Sequence, residues 1–152
     1  MNAMKIQVQE QDFDVGGELA ALAAGAPDAG GIASFLGLVR ETSDGSAVAG
    51  MTLEHYPAMT RKALEDIVAQ AAARWMLRDV VVIHRVGALQ PGDRIVLVAV
   101  ASAHRGEAFA ACEFIMDMLK TQAPFWKKER TPAGERWVEA RASDDAAARR
   151  WR

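Results

Sequence analysis

Residues 80–102 read VVVIHRVGALQPGDRIVLVAVAS. Two strongly β-branched runs, VVVIHRVG and RIVLVAVAS, flank ALQPGD, where proline, glycine and aspartate supply a tight turn. The spacing predicts an antiparallel pair of strands at the centre of a sheet. Upstream, KIQVQ (5–9) alternates as a short strand, and Asp14 is placed to cap an alanine-rich helix that ends before Gly25 and Pro27. GIASFLGLVR (31–40) and GMTLEHY (50–56) read as strands around the polar loop ETSDGSAV, in which Asp44-Gly45 carries hairpin-turn chemistry.

Pro57 can open a helix over 57–75, with Met59, Ala63, Ile67, Ala71 and Trp75 recurring every four residues down one face. A second long helix is expected over 103–121 and is stopped by Pro124. PFWKKE (124–129) and RWVEA (136–140) follow as short strands around the turn TPAGE, and a polar tail closes the chain. The order βαββαββαββα lacks the strict alternation of a doubly wound fold, so the expected class is α+β with mostly antiparallel sheet. With 152 residues, 51% hydrophobic, a single domain spanning 1–152 is expected.

Charge and cysteine usage narrow the function classes. A formal net charge of -2 leaves no general basic excess for a nucleic-acid duplex. The single cysteine, Cys112, excludes an internal disulfide framework, and no Cys/His cluster has zinc spacing. No apolar run approaches the ~18 residues of a membrane span, and MNAMKIQVQEQDF has no apolar core after a basic region, so a cytoplasmic protein without membrane contact is expected.

Local basic clusters carry the chemistry. On a helical wheel, Phe109, Cys112, Ile115, Met116 and Leu119 share one face, Lys120 lies at its edge, and Phe114 and Met118 lie opposite. His104 and Arg105 open that helix, where unpaired backbone N–H groups and the helix dipole can hold a phosphate. A cap and a surface ion pair are the competing explanation for the two residues. Lys120 likewise fits either an i, i+3 pair with Asp117 or a lysine held against Phe109, Met116 and Phe125, where desolvation would make a neutral amine available. Lys127 and Lys128 alternate sides of a strand, so one can share the surroundings of Lys120 while the other faces away. Arg40 ends an apolar strand, His84 reads as a structural residue needing one partner, and Cys112 reads as an inert buried thiol.

SFLGLVR (34–40), LEHYPAMTRKAL (53–64), VIHRVGALQPGD (82–93), ASAHRGEAFAACEFIMDMLKTQAPFWKKE (101–129) and GERWVEAR (134–141) together resemble the MoaE family, the large subunits of molybdopterin synthase. The likeness covers nearly the whole chain in order. It implies an α/β-hammerhead fold and a homodimer of large subunits, each carrying a small ubiquitin-like sulfur carrier, in a heterotetramer. The implied reaction is sulfur transfer from the thiocarboxylate at the carrier's C-terminal glycine to cyclic pyranopterin monophosphate, giving the dithiolene of molybdopterin. No cofactor or metal is implied, because molybdenum enters after the dithiolene exists.

Residue by residue, the resemblance implies that Lys120 and Lys127 are the catalytic lysines. Arg40, His104, Arg105 and Lys128 match anion-binding positions, Phe35 and Met116 pocket-lining positions, and Arg141 a basic position near the site. The family completes its pocket across the dimer, so His104, Arg105 and Arg141 are expected to serve the neighbouring subunit's lysines. Leu38 stands where relatives often carry a polar or basic residue, so a ligand contact there falls to backbone. The alternative is a pterin- or anion-binding dimer without turnover.

Overall fold

The computed structural model describes residues 4–43, 46–138 and 142–152. Chain order is β1 (Lys5–Gln9), α1 (Val15–Gly25), β2 (Gly31–Leu38), β3 (Thr42–Ser43), β4 (Ser46–Ala47), β5 (Gly50–His55), α2 (Pro57–Arg74), β6 (Leu77–Arg85), β7 (Gly87–Leu89), β8 (Arg94–Ser102), α3 (Arg105–Gln122), β9 (Phe125–Thr131), β10 (Gly134–Val138) and α4 (Ala142–Arg149). The fold is α+β, and its sheets are mostly antiparallel as expected: β1 on β6 is the parallel pair.

The β-branched pair does sit at the centre. β6 and β8 are the inner strands of a sheet ordered β1-β6-β8-β2, in register from Val80 opposite Val100 to His84 opposite Val96. Both faces of this pair are covered, which is why its sequence runs apolar without alternating. Val80, Val82, Val96, Val98 and Val100 meet α2 and α3, while Val81, Ile83, Leu97, Ala99 and Ala101 meet α1 and Phe13.

The turn after β6 holds more than a tight connection. Gly87 takes φ +83, a left-handed conformation that glycine adopts without strain, and the chain then forms β7 before turning into β8. β7 leaves the first sheet and becomes the edge of a second, ordered β10-β9-β5-β7. Val39, Met51, Leu53, Val86 and Leu89 are buried together where the second sheet joins the first, with Ile95 and Phe125 packed against them.

Two helical readings change. The buried face of α2 is Thr60, Leu64, Ile67, Val68 and Ala71, and Met59 is 62% exposed. At 3.6 residues per turn, a stride of four drifts by about 40° each time, so a column that starts at Met59 winds off the core face. In α3 the buried arc runs from Phe114 and Met118 through Ile115 to Cys112 and Met116, and Phe109, just past its edge, is 65% exposed. Asp14 stands at the N-cap of α1, where its carbonyl, not its side chain, accepts from Glu18 N–H. The Asp44-Gly45 turn lies outside the described residues, between the paired β3 and β4. The polar tail folds as α4, and Trp151 beyond it packs edge-on against Trp75 and Phe114.

Candidate active site

Where α3 ends, the chain turns at Ala123 and Pro124 into β9, and this turn decides which lysine meets which. Thr60 Oγ1 donates to the Pro124 carbonyl at 3.4 Å and Phe125 N–H to the Ala123 carbonyl at 2.9 Å, tying the turn to α2. β9 then runs antiparallel to β5, with Lys127 opposite Leu53 and Lys128 opposite Thr52. Because side chains alternate across a strand, the two lysines face opposite sides of the sheet. Lys127 faces a cavity of about 310 Å³ that Lys120, Arg40, His84, Phe125, Leu119 and Asp144 also line. Lys128 instead reaches Glu135 at 2.8 Å and lies 5.3 Å from the Trp137 ring centroid.

The cavity therefore combines an apolar floor with cations from separate elements: Lys120 from the last turn of α3, Lys127 from β9, and Arg40 from the segment after β2. Val39 anchors Arg40, its N–H donating to Asp93 and its carbonyl accepting from Gly92. Asp117, the expected partner of Lys120, is engaged by α4 and its extension: Arg150 Nη2 lies 2.9 Å and Trp151 Nε1 2.6 Å from its carboxylate. Of the apolar groups expected around Lys120, Phe125 lines the cavity, whereas Met116 is buried in the core. Phe109, eleven residues earlier, sits about 16 Å back along the helix axis. Lys120 itself is exposed, so one chain does not supply the desolvation that the sequence suggested.

His84 was read as structural, yet it lines this cavity although only 5% exposed. Its ring stacks on Phe125 with centroids 3.9 Å apart, and Nδ1 lies 2.7 Å from the Arg85 carbonyl. Burial pushes its pKa down to about 4, with a smaller contribution from the positive charge of Lys120. Asp144, a carboxylate on α4, is the other ionisable cavity residue, among those described, that sequence reasoning missed. The interior position of His84 in an apolar run was a usable signal; for Asp144, in a polar tail, there was none.

The remaining residues form other groups. His104 and Arg105 are exposed at the start of α3 beside Gly30, and no carboxylate among the described residues pairs with Arg105. They stand about 22 Å along the helix from Lys120, at 1.5 Å per residue. Phe35 is 46% exposed on the edge strand β2, and Arg141 lies outside the described residues.

An α+β fold in which α3, β9 and the segment after β2 bring two amines and a guanidinium around one cavity defines a protein able to hold an anionic ligand against amines. The MoaE protein model matches residues 8–122. The molybdopterin synthase catalytic subunit of Ralstonia nicotianae is 65% identical over 146 residues, covering 96% of this chain and 83% of that protein. The MoaE protein of Burkholderia ambifaria shares the fold with a TM-score of 0.84 at 57% identity, over 98% of each chain. Molybdopterin synthase from Staphylococcus aureus gives 0.79 at 29% identity, over 91% of this chain and 98% of that one. The chain belongs to the MoaE family. That membership makes it an enzyme subunit of molybdopterin biosynthesis, within molybdenum cofactor formation.

Proposed function

We propose that this chain is the sulfurtransferase subunit that converts cyclic pyranopterin monophosphate to molybdopterin, taking sulfur from the C-terminal thiocarboxylate of a small ubiquitin-like carrier. The observation that carries the reading is the convergence of Lys120, Lys127 and Arg40 on one cavity. Both reactants are anions, a cyclic phosphate and a thiocarboxylate, and both need cations at close range. Lys120 acts as general acid and base while the cyclic phosphate opens, and Lys127 holds the carrier tail or the substrate anion. A nucleophilic Lys120 attacking the thiocarboxylate is the competing role.

His104 and Arg105 bind the substrate phosphate at the helix start of a second copy, since about 22 Å separates them from Lys120 within one chain. A homodimer fits the exposed apolar groups Phe35, Leu36, Leu38 and Phe109 on β2 and α3. The whole chain, 1–152, serves as the catalytic domain, working in the cytosol.

The test is conversion of cyclic pyranopterin monophosphate by the purified chain with thiocarboxylated carrier. Wild-type protein forms the dithiolene product, and Lys120→Ala loses at least about a hundredfold in turnover while still binding carrier and substrate. Binding without turnover by the wild type would instead support an anion-binding dimer.

A further inference from the structure

Arg40 reaches the cavity from a segment that follows a strand rather than belonging to one. β2 ends at Leu38, and its register with β8 slips between Gly37 and Leu38, so the sheet ladder does not carry Arg40. Its neighbour is held instead. Val39 is 4% exposed, its N–H donates to the Asp93 carbonyl at 2.9 Å, and its carbonyl accepts from Gly92 N–H at 2.8 Å. The turn at 90–93 therefore sets where Arg40 stands. That turn closes on itself: Asp93 N–H donates to the Gln90 carbonyl at 3.0 Å, Gln90 N–H donates to the Asp93 carboxylate at 2.8 Å, and Gly92 takes φ +88.

A guanidinium outside the cavity lining braces the turn from behind. Arg85 is the last residue of β6, and its side chain is only 13% exposed. Its Nε donates to the Glu10 carbonyl at 3.0 Å and its Nη1 to the Arg94 carbonyl at 3.2 Å. The same Nη1 lies 4.0 Å from a carboxylate oxygen of Asp12 and 4.0 Å from one of Asp93. Asp12 in turn accepts from Arg94 Nε at 3.0 Å and Nη2 at 2.5 Å. One planar fork thus joins the segment after β1, the end of β6 and the turn before β8, a set of directions that a lysine ammonium cannot serve together.

We infer that Arg85 is a positioning residue for Arg40: it fixes the 90–93 turn through the Asp93 carboxylate and the Arg94 carbonyl, and that turn fixes Val39, so the side chain that follows is presented to the cavity. The carboxylate Asp93 is the link, since it meets Arg85 through its side chain and Val39 through its carbonyl.

The catalytic part of this role rests on the sulfurtransferase reading; the local hold does not. In the whole chain, amide hydrogen exchange followed residue by residue is expected to quicken about tenfold or more at Val39 and Gly92 in Arg85→Met, while Val98 and Val100 at the centre of β8 keep their wild-type rates. In the complete complex, Arg85→Met raises KM for cyclic pyranopterin monophosphate about tenfold with kcat within about twofold, as loss of a group that holds substrate requires. The same change made on top of Arg40→Ala adds nothing further to KM, because a residue that acts through Arg40 has nothing left to position. If Arg85→Met does not fold, Arg85→Lys, which keeps the charge and loses the fork, takes its place. Unchanged exchange at Val39, exchange that quickens equally in the β8 core, or a KM effect that multiplies with Arg40→Ala overturns the inference, since each describes a residue that is idle or merely stabilises the sheet. If the wild type makes no product, the assigned reaction fails, and exchange at Val39 still decides whether Arg85 holds the segment that carries Arg40.

Discussion

The Cys112 thiol is 6% exposed and its Sγ lies 3.7 Å from the Val98 carbonyl, facing the central sheet. Burial pushes its pKa up to about 11, with the nearby Glu113 carboxylate adding to the shift, so almost no thiolate exists near neutral pH. A persulfide route through this residue is therefore disfavoured by both access and charge. Cys112→Ala is expected to retain turnover in the reconstituted reaction and to lose about 1 kcal/mol of stability through the small cavity it leaves; activity and urea unfolding of the same preparation check both. His84 shows the opposite kind of buried group, one that titrates in an accessible range. Its unfolded form takes up a proton near pH 6.5 and its folded form only near 4, so between those values the unfolded chain binds more protons. Stability then falls as acid is added, by up to about 3 kcal/mol at the lower end. Urea unfolding at pH 7 and pH 4 should show that loss in the wild type and a smaller one in His84→Asn.

Among the elements, α3 holds both proposed groups, His104 and Arg105 at its start and Lys120 in its last turn. Gly30 fixes where it begins: its N–H donates to Ser102 O at 2.8 Å, and a Cβ built on it would stand 2.1 Å from the Ala103 carbonyl oxygen. That neighbour is backbone and cannot swing aside, so Gly30→Ala must displace the segment leading into His104 and Arg105. A loss of about 2 kcal/mol is expected, which at this chain length lowers the melting temperature by roughly 4–8 °C; a thermal melt within a degree of wild type would contradict the packing described. The same helix shows what was legible and what was not. Its extent, its breaker Pro124 and the alternation of Lys127 and Lys128 are local properties and were readable. Exposure of Phe109 was not, because a position at the rim of a helical face turns in or out according to what lies beside it. β7 escaped notice for a similar reason: Gly87–Leu89 is too short to show a period, and only its pairing with β5 makes it a strand.

At the level of the assembled molecule, one distance governs the argument. Residue types and their surrounding motifs pointed to His104, Arg105, Lys120 and Lys127 together, yet helical rise puts about 22 Å between the first pair and Lys120 in a single chain. Spacing along a sequence says nothing of a second copy, so the grouping was legible only through the family resemblance. The exposed apolar edge formed by Phe35, Leu36, Leu38 and Phe109 marks where such a copy would be buried. If the site is completed across a twofold axis, Lys120→Ala and Arg105→Ala damage different halves of it. Each variant alone leaves both sites of its dimer defective. Mixed through dissociation and reassociation at equal amounts, half of the dimers are hybrids, and each hybrid holds one site with both defects and one with neither. Turnover should therefore recover to about a quarter of the wild-type value. If both residues served a site within one chain, every site in the hybrid would still carry one defect and mixing would restore nothing, so steady-state turnover before and after subunit exchange separates the two arrangements.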